Sequence, residues 1–143
     1  MWRALGLACL LTLVPTLIHA EASTYRCTFG EGITAEWESG RLKTKRSSLS
    51  EDPARLLIFD QIDPREGTAR GLGNSGAVDL AVLKSPESLS FLEITPSGNV
   101  VLTSIFTGMH SDDGSVPAVV SRHIRIAQEV ALPQQYYGTC IAQ

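Results

Sequence analysis

The chain has 143 residues, twelve Lys and Arg against fifteen Asp and Glu, a formal net charge of −3 and 43% apolar residues. That length supports one domain with a packed core. The mild excess of acid speaks against nucleic acid or an anionic membrane surface as partner, because both select a basic face.

The first segment reads as a leader. Arg3 beside the α-amino group is followed by an apolar run from Ala4 to Ile18, and then by the small-residue exits Ala20 and Ala20-Glu21-Ala22. A charged start, a short apolar middle and a small-residue exit form a cleavable secretory signal, here residues 1–22 with cleavage after Ala20 or Ala22. The run is shorter than the ~20 residues that span a bilayer, and Pro15 interrupts it, so no stable membrane insertion is expected after cleavage. The mature chain, 23–143, is then a single β domain, and with cleavage after Ala20 its net charge is near −4, because Arg3 leaves with the signal while Glu21 stays. Its location would be periplasmic or secreted.

Cleavage leaves two cysteines, Cys27 and Cys140, at opposite ends of the domain. In an exported chain such a pair reads as one disulfide.

Turn residues recur along the mature chain: Gly30-Glu31-Gly32, Ser39-Gly40, Asp63-Pro64, Gly71 to Gly76, Ser85-Pro86, Pro96-Ser97-Gly98, Asp112-Asp113-Gly114 and Leu132-Pro133. Short runs of Val, Ile, Leu, Phe and Thr lie between them. This spacing predicts an all-β antiparallel barrel or sandwich of about eight to ten strands. The strands are expected at Thr24–Phe29, Ile33–Glu38, Arg41–Lys45, Arg55–Gln61, Thr68–Leu72, Ala77–Leu83, Leu89–Ile94, Val100–Thr107, Ala118–Ile126 and Tyr136–Ile141, with some merged. A short helical turn is expected within Ser50–Leu57, capped by Ser50 with Pro53 early in it. Joining the two cysteines draws the first and last strands together, as closure of a barrel would.

The sharpest local pattern is a hairpin. Ile33, Ala35 and Trp37 alternate with Thr34, Glu36 and Glu38, and Leu42 and Thr44 alternate with Arg41, Lys43 and Lys45. A two-residue turn at Ser39-Gly40 sets Glu38 opposite Arg41, Trp37 opposite Leu42 and Glu36 opposite Lys43. On that pattern Trp37 is expected to be buried against Leu42.

Several motifs invite a chemical reading. Gly71-Leu72-Gly73-Asn74-Ser75-Gly76 spells G-x-G-x-x-G, but its flanks are short and β-like, with no βαβ unit, so a glycine-rich hairpin loop is expected and no cofactor. Gly73-Asn74-Ser75-Gly76-Ala77 approaches the surroundings of a serine nucleophile. It departs at Asn74 and Ala77, and both mature histidines follow Ser75 rather than precede it. His110-Ser111-Asp112-Asp113-Gly114 combines imidazole and carboxylates, yet Asp-Asp-Gly is first a turn, and only His110 and His123 remain after cleavage, too few for a three-histidine zinc centre. No metal ligand set and no catalytic residue are assigned.

In the strand Ala118–Ile126, alternation puts Ser121, His123 and Arg125 on one face and Val120, Arg122, Ile124 and Ile126 on the other. Arg122 therefore falls among apolar neighbours. Either it meets a carboxylate, with Asp60 and Asp79 as candidates, or it faces a wet cavity and serves a ligand. Arg122, His123, Ser75 and Asn74 are the candidate contacts for a ligand or partner. In the closing strand, one of Tyr136 and Tyr137 is expected in the core and the other at the surface.

Tyr25-Arg26-Cys27 at the start, a β-rich middle and a last cysteine three residues from the end are similar in layout to the small periplasmic inhibitors of c-type lysozyme. The resemblance implies an eight-stranded barrel behind a signal peptide. It also implies a serine- and glycine-rich loop and a lysine presented to the enzyme cleft, echoed here by Gly73 to Ala77 and Lys84. The aromatic signature of that family around these positions is absent. Ser121-Arg122-His123 together with Gln135-Tyr136-Tyr137-Gly138-Thr139-Cys140 resembles short exported β-proteins of proteobacteria, a likeness that implies no activity.

These features point to an exported β module that binds an unknown protein or a small ligand and is not an enzyme. The alternatives are a small hydrolase using His123, an inhibitor of the lysozyme-inhibitor type, and a purely structural envelope component.

Overall fold

The computed structural model describes residues 24–126 and 130–143, so the leader expected at 1–22 lies outside the described residues. Nine strands run in chain order: β1 (Tyr25–Glu38), β2 (Arg41–Ser48), β3 (Leu56–Asp63), β4 (Thr68–Gly73), β5 (Gly76–Ser85), β6 (Ser88–Ile94), β7 (Val100–Ile105), β8 (Val116–Ile126) and β9 (Val130–Ala142). From β3 to β9 each strand pairs antiparallel with the next, and β1 closes the cylinder by pairing with both β3 and β9. The result is an eight-stranded closed antiparallel barrel with β2 as an extra strand, which settles the choice between barrel and sandwich. The strands expected at Thr24–Phe29 and Ile33–Glu38 are one continuous strand, β1, with a register shift between Phe29 and Gly32.

Alternation explains the interior. In β6, Leu89 and Phe91 are buried while Ser90 and Leu92 are only partly so, and in β8 Val116, Ala118 and Val120 are buried. Each of the eight barrel strands offers one such face, while the extra strand β2 buries none, and closure leaves no sheet edge between β1 and β9. Cys27, Phe29, Phe91, Ile105, Val120 and Cys140 are the largest fully buried side chains. Cys27 and Cys140 are disulfide-bonded across the β1–β9 seam. Gly138 stands opposite Phe29 at the same seam, where the strands approach so closely that an added Cβ would lie 2.1 Å from the Thr28 carbonyl oxygen.

The β1–β2 hairpin has the expected register: Glu38 opposite Arg41, Trp37 opposite Leu42 and Glu36 opposite Lys43. Ser39 and Gly40 both have positive φ, 51° and 74°, the requirement of the mirror-image turns that match strand twist. The ion pairs run diagonally, Lys43 to Glu38 and Lys45 to Glu36. The expected burial of Trp37 is overturned. Trp37 is 56% exposed, Leu42 52% and Ile33 45%. Beyond Thr34, β1 pairs only with β2, and among the described residues nothing buries Trp37 or Leu42, although Ala35 on the same face is buried.

The short helical turn is present as a 3-10 turn, Pro53–Arg55, but its cap is Asp52 and not Ser50. The residue before a proline is held extended, and Asp52, at φ −87° and ψ 132°, is placed so that its Oδ1 accepts the Ala54 N–H at 2.7 Å. This turn carries the chain from the outer strand β2 back to β3, beside one mouth of the barrel.

Candidate functional site

A cavity of about 330 Å³ opens at the barrel end where β3 begins, where β4 turns into β5 and where β6 turns into β7. Its buried lining consists of Phe59, Leu80, Phe91 and Thr103, with Phe59 and Phe91 stacked at 4.2 Å between ring centroids. Leu57, Val78 and Val101 extend this apolar wall outward. The rim is polar, with Asn74 and Ser75 from the β4–β5 turn, Thr95 and Asn99 from the β6–β7 turn, Glu93 from β6 and Arg122 from β8. This volume lies at the lower end of the roughly 300–1,000 Å³ typical of small-molecule sites, and an apolar body with a few polar groups at its rim is their usual make-up.

Strand parity places both rim charges. Arg122 continues the inward row Val116, Ala118, Val120, and Glu93 continues the inward row Leu89, Phe91. Val101 of β7 is the cross-strand partner of both, so Glu93, Val101 and Arg122 form one row around the barrel. The guanidinium leans away from Glu93: its Nη2 donates to the Ala54 carbonyl oxygen at 3.4 Å, and its carbon lies 5.4 Å from the centroid of the Tyr136 ring on β9. Tyr136 is buried and shares a hydrogen bond of 3.1 Å with Ser47 of β2, while Tyr137 is exposed on the outer face.

Among the described residues no carboxylate pairs with Arg122. The two proposed partners lie elsewhere. Asp60 points to the outside of the barrel and binds Arg70 in a two-pronged contact, Nε to Oδ1 at 2.8 Å and Nη2 to Oδ2 at 2.7 Å. The Arg70 guanidinium holds the Asp60 carboxyl below the ordinary carboxylate range and is itself raised by it. Asp79 is exposed on the same outer surface, on the other side of Arg70. Both acids interrupt apolar strands because their positions face out, not because they carry a charge inward.

Three of the four candidate contacts, Asn74, Ser75 and Arg122, meet at the cavity, and the fourth, His123, is exposed on the outer face and paired in register with Val100 and Pro133. Asn74 and Ser75 form a hairpin turn between Gly73 and Gly76, so the glycine-rich segment is a β–β connection. Ser75 and Lys84 lie towards opposite ends of β5. His110, Asp112 and Asp113 are exposed in the β7–β8 loop, and among the described residues no group of three or more His, Cys, Asp and Glu is arranged to hold a metal ion. Asp113 accepts the Ser115 N–H at 2.9 Å, and hydrogen bonding from Ser115 lowers its carboxyl pKa. Glu93 was missed by reading the sequence, although the signal is the one that singled out Arg122: a charge on the apolar parity of a strand, here Leu89-x-Phe91-x-Glu93.

No family model, no curated protein and no solved structure matches this chain.

Proposed function

We propose that the chain is an exported, disulfide-bonded β-barrel, periplasmic or secreted, that binds a small organic molecule in the mouth cavity. The observation that carries this reading is Arg122. Its charged head lines an apolar-walled cavity and has no carboxylate partner among the described residues, so it is available to a ligand. A partly desolvated arginine with no acid beside it is costly to keep without such a role. The leader pattern and the disulfide support export. The outward position of His123, away from the cavity, favours a binding protein over a hydrolase built on that residue.

An apolar fluorescent anion, anilinonaphthalene sulfonate, tests the reading with the mature protein. It is expected to bind with enhanced, blue-shifted emission, and Val78→Trp, which fills the cavity, is expected to abolish the signal while the fold melts normally. Absence of binding to the folded wild type, or undiminished binding to Val78→Trp, would overturn it.

A further inference from the structure

We infer that the cavity is built for a zwitterion with an apolar portion: an anionic group for Arg122 and a cationic group for Glu93. The inference rests on the binding role proposed for this cavity and goes further by naming the ligand class. Glu93 and Arg122 both line the cavity, yet they are not an ion pair. The Glu93 carboxylate has no hydrogen bond or ion pair among the described residues.

The two groups stand two strands apart in one row, with Val101 between them, so their backbones are separated by ~10 Å. Arg122 is drawn further back by Ala54 and Tyr136. That leaves opposite charges on neighbouring walls of one opening, with Phe91 and Leu80 beneath. A ligand with separated charges and an apolar middle satisfies both groups and fills the wall between them. The hydroxyl and amide groups of Ser75, Thr95 and Asn99 supply further donors and acceptors at the rim.

Calorimetric titration with three probes decides it: ω-aminooctanoate, octanoate and octylamine. The zwitterion is expected to bind best, roughly ten- to a hundredfold tighter than octanoate, as one added charge-assisted hydrogen bond implies. In Glu93→Gln the zwitterion should fall to the affinity of octanoate, while octanoate itself is unchanged or improved. In Arg122→Met both should weaken.

If octanoate or the fluorescent anion binds and ω-aminooctanoate is no better, the zwitterion inference fails and the binding role stands. If no probe, fluorescent or aliphatic, binds the folded protein, both fail. A direct Glu93–Arg122 pair in solution would also overturn the inference. It would appear as non-additive losses of melting temperature in Glu93→Gln, Arg122→Met and the double variant, with no ligand preference.

Discussion

Cys27 and Cys140 are direct cross-strand partners on β1 and β9, their Cα atoms 4.0 Å apart and 113 residues apart in sequence. The bond therefore clips the seam that closes the barrel and joins nearly the whole domain into one loop. Chain-entropy reasoning for such a loop gives about 4–5 kcal/mol, with measured losses for native disulfides of about 2–5 kcal/mol. Denatured, unreduced protein lacking residues 1–22 is expected to show no thiol on titration, and a Cys27→Ala/Cys140→Ala variant should unfold at clearly lower denaturant. Two titratable thiols would contradict the structure.

Closure makes a second demand at the same seam. Gly138 faces Phe29, and an added methyl would meet the Thr28 carbonyl oxygen at 2.1 Å and the Phe29 Cα at 2.8 Å. Both obstacles are backbone and cannot swing aside. Gly138→Ala is expected to cost about 1–3 kcal/mol or more, as overpacking does. Urea melts measure it, and an unchanged midpoint would mean that the two strands lie further apart.

Trp37 is the one tryptophan among the described residues and is more than half exposed on the projecting β1–β2 ribbon. Its fluorescence is expected to peak at long wavelength and to be quenched freely by acrylamide. Trp37→Ala should shift stability by no more than about 0.5 kcal/mol, whereas Phe91→Ala should cost about 3–5 kcal/mol. Reversal of that order would show that the ribbon folds onto the barrel.

The contrast between the hairpin and Trp37 shows which features sequence can express. Ser39-Gly40 and the charges on either side of it specify local register, and the register is found pair for pair. Burial of Trp37 is not local: it depends on whether another layer lies over that face, and alternation carries no information about a missing layer. Arg122 is the same lesson in the other direction. Parity identifies it as inward-facing, and the structure agrees, but its neighbours come from a 3-10 turn and a strand far away in the chain, Ala54 and Tyr136. Asp60 and Asp79 looked like partners only because the outward row of β3 to β5 could not be aligned with Arg70 before the registers were known. Glu93, by contrast, could have been found by applying to β6 the parity rule applied to β8.

The Asp60–Arg70 pair predicts a pH dependence. Arg70 lowers the folded-state pKa of Asp60 relative to the unfolded chain. The resulting stabilisation is complete above the unfolded value, about 4, and is lost as pH falls through the lowered folded value. Asp60→Asn is therefore expected to melt earlier than wild type at neutral pH, with the gap closing in acid and narrowing in high salt, since the pair is partly exposed. A gap that persists unchanged in strong acid would assign the loss to packing rather than to charge.

Arg122 makes the most discriminating stability prediction. Had it been paired with a buried carboxylate, removing it would cost about 3–5 kcal/mol by orphaning the acid. Its contacts are instead a long hydrogen bond to Ala54 and a position over the Tyr136 ring. A half-buried cation over a buried aromatic ring contributes about 1–2 kcal/mol, and Arg122→Met keeps an apolar stem against the same wall. The variant is thus expected to melt within about 2 kcal/mol of wild type. Tyr136→Phe should lose a similar amount through the Ser47 hydrogen bond, about 0.5–1.5 kcal/mol. His123→Ala, exposed on the outer face, should change stability by less than about 0.5 kcal/mol. Thermal melts of the three variants, run without ligand, check the order. A loss above about 3 kcal/mol in Arg122→Met would reveal a buried acidic partner and would remove the reason for assigning this arginine to a ligand.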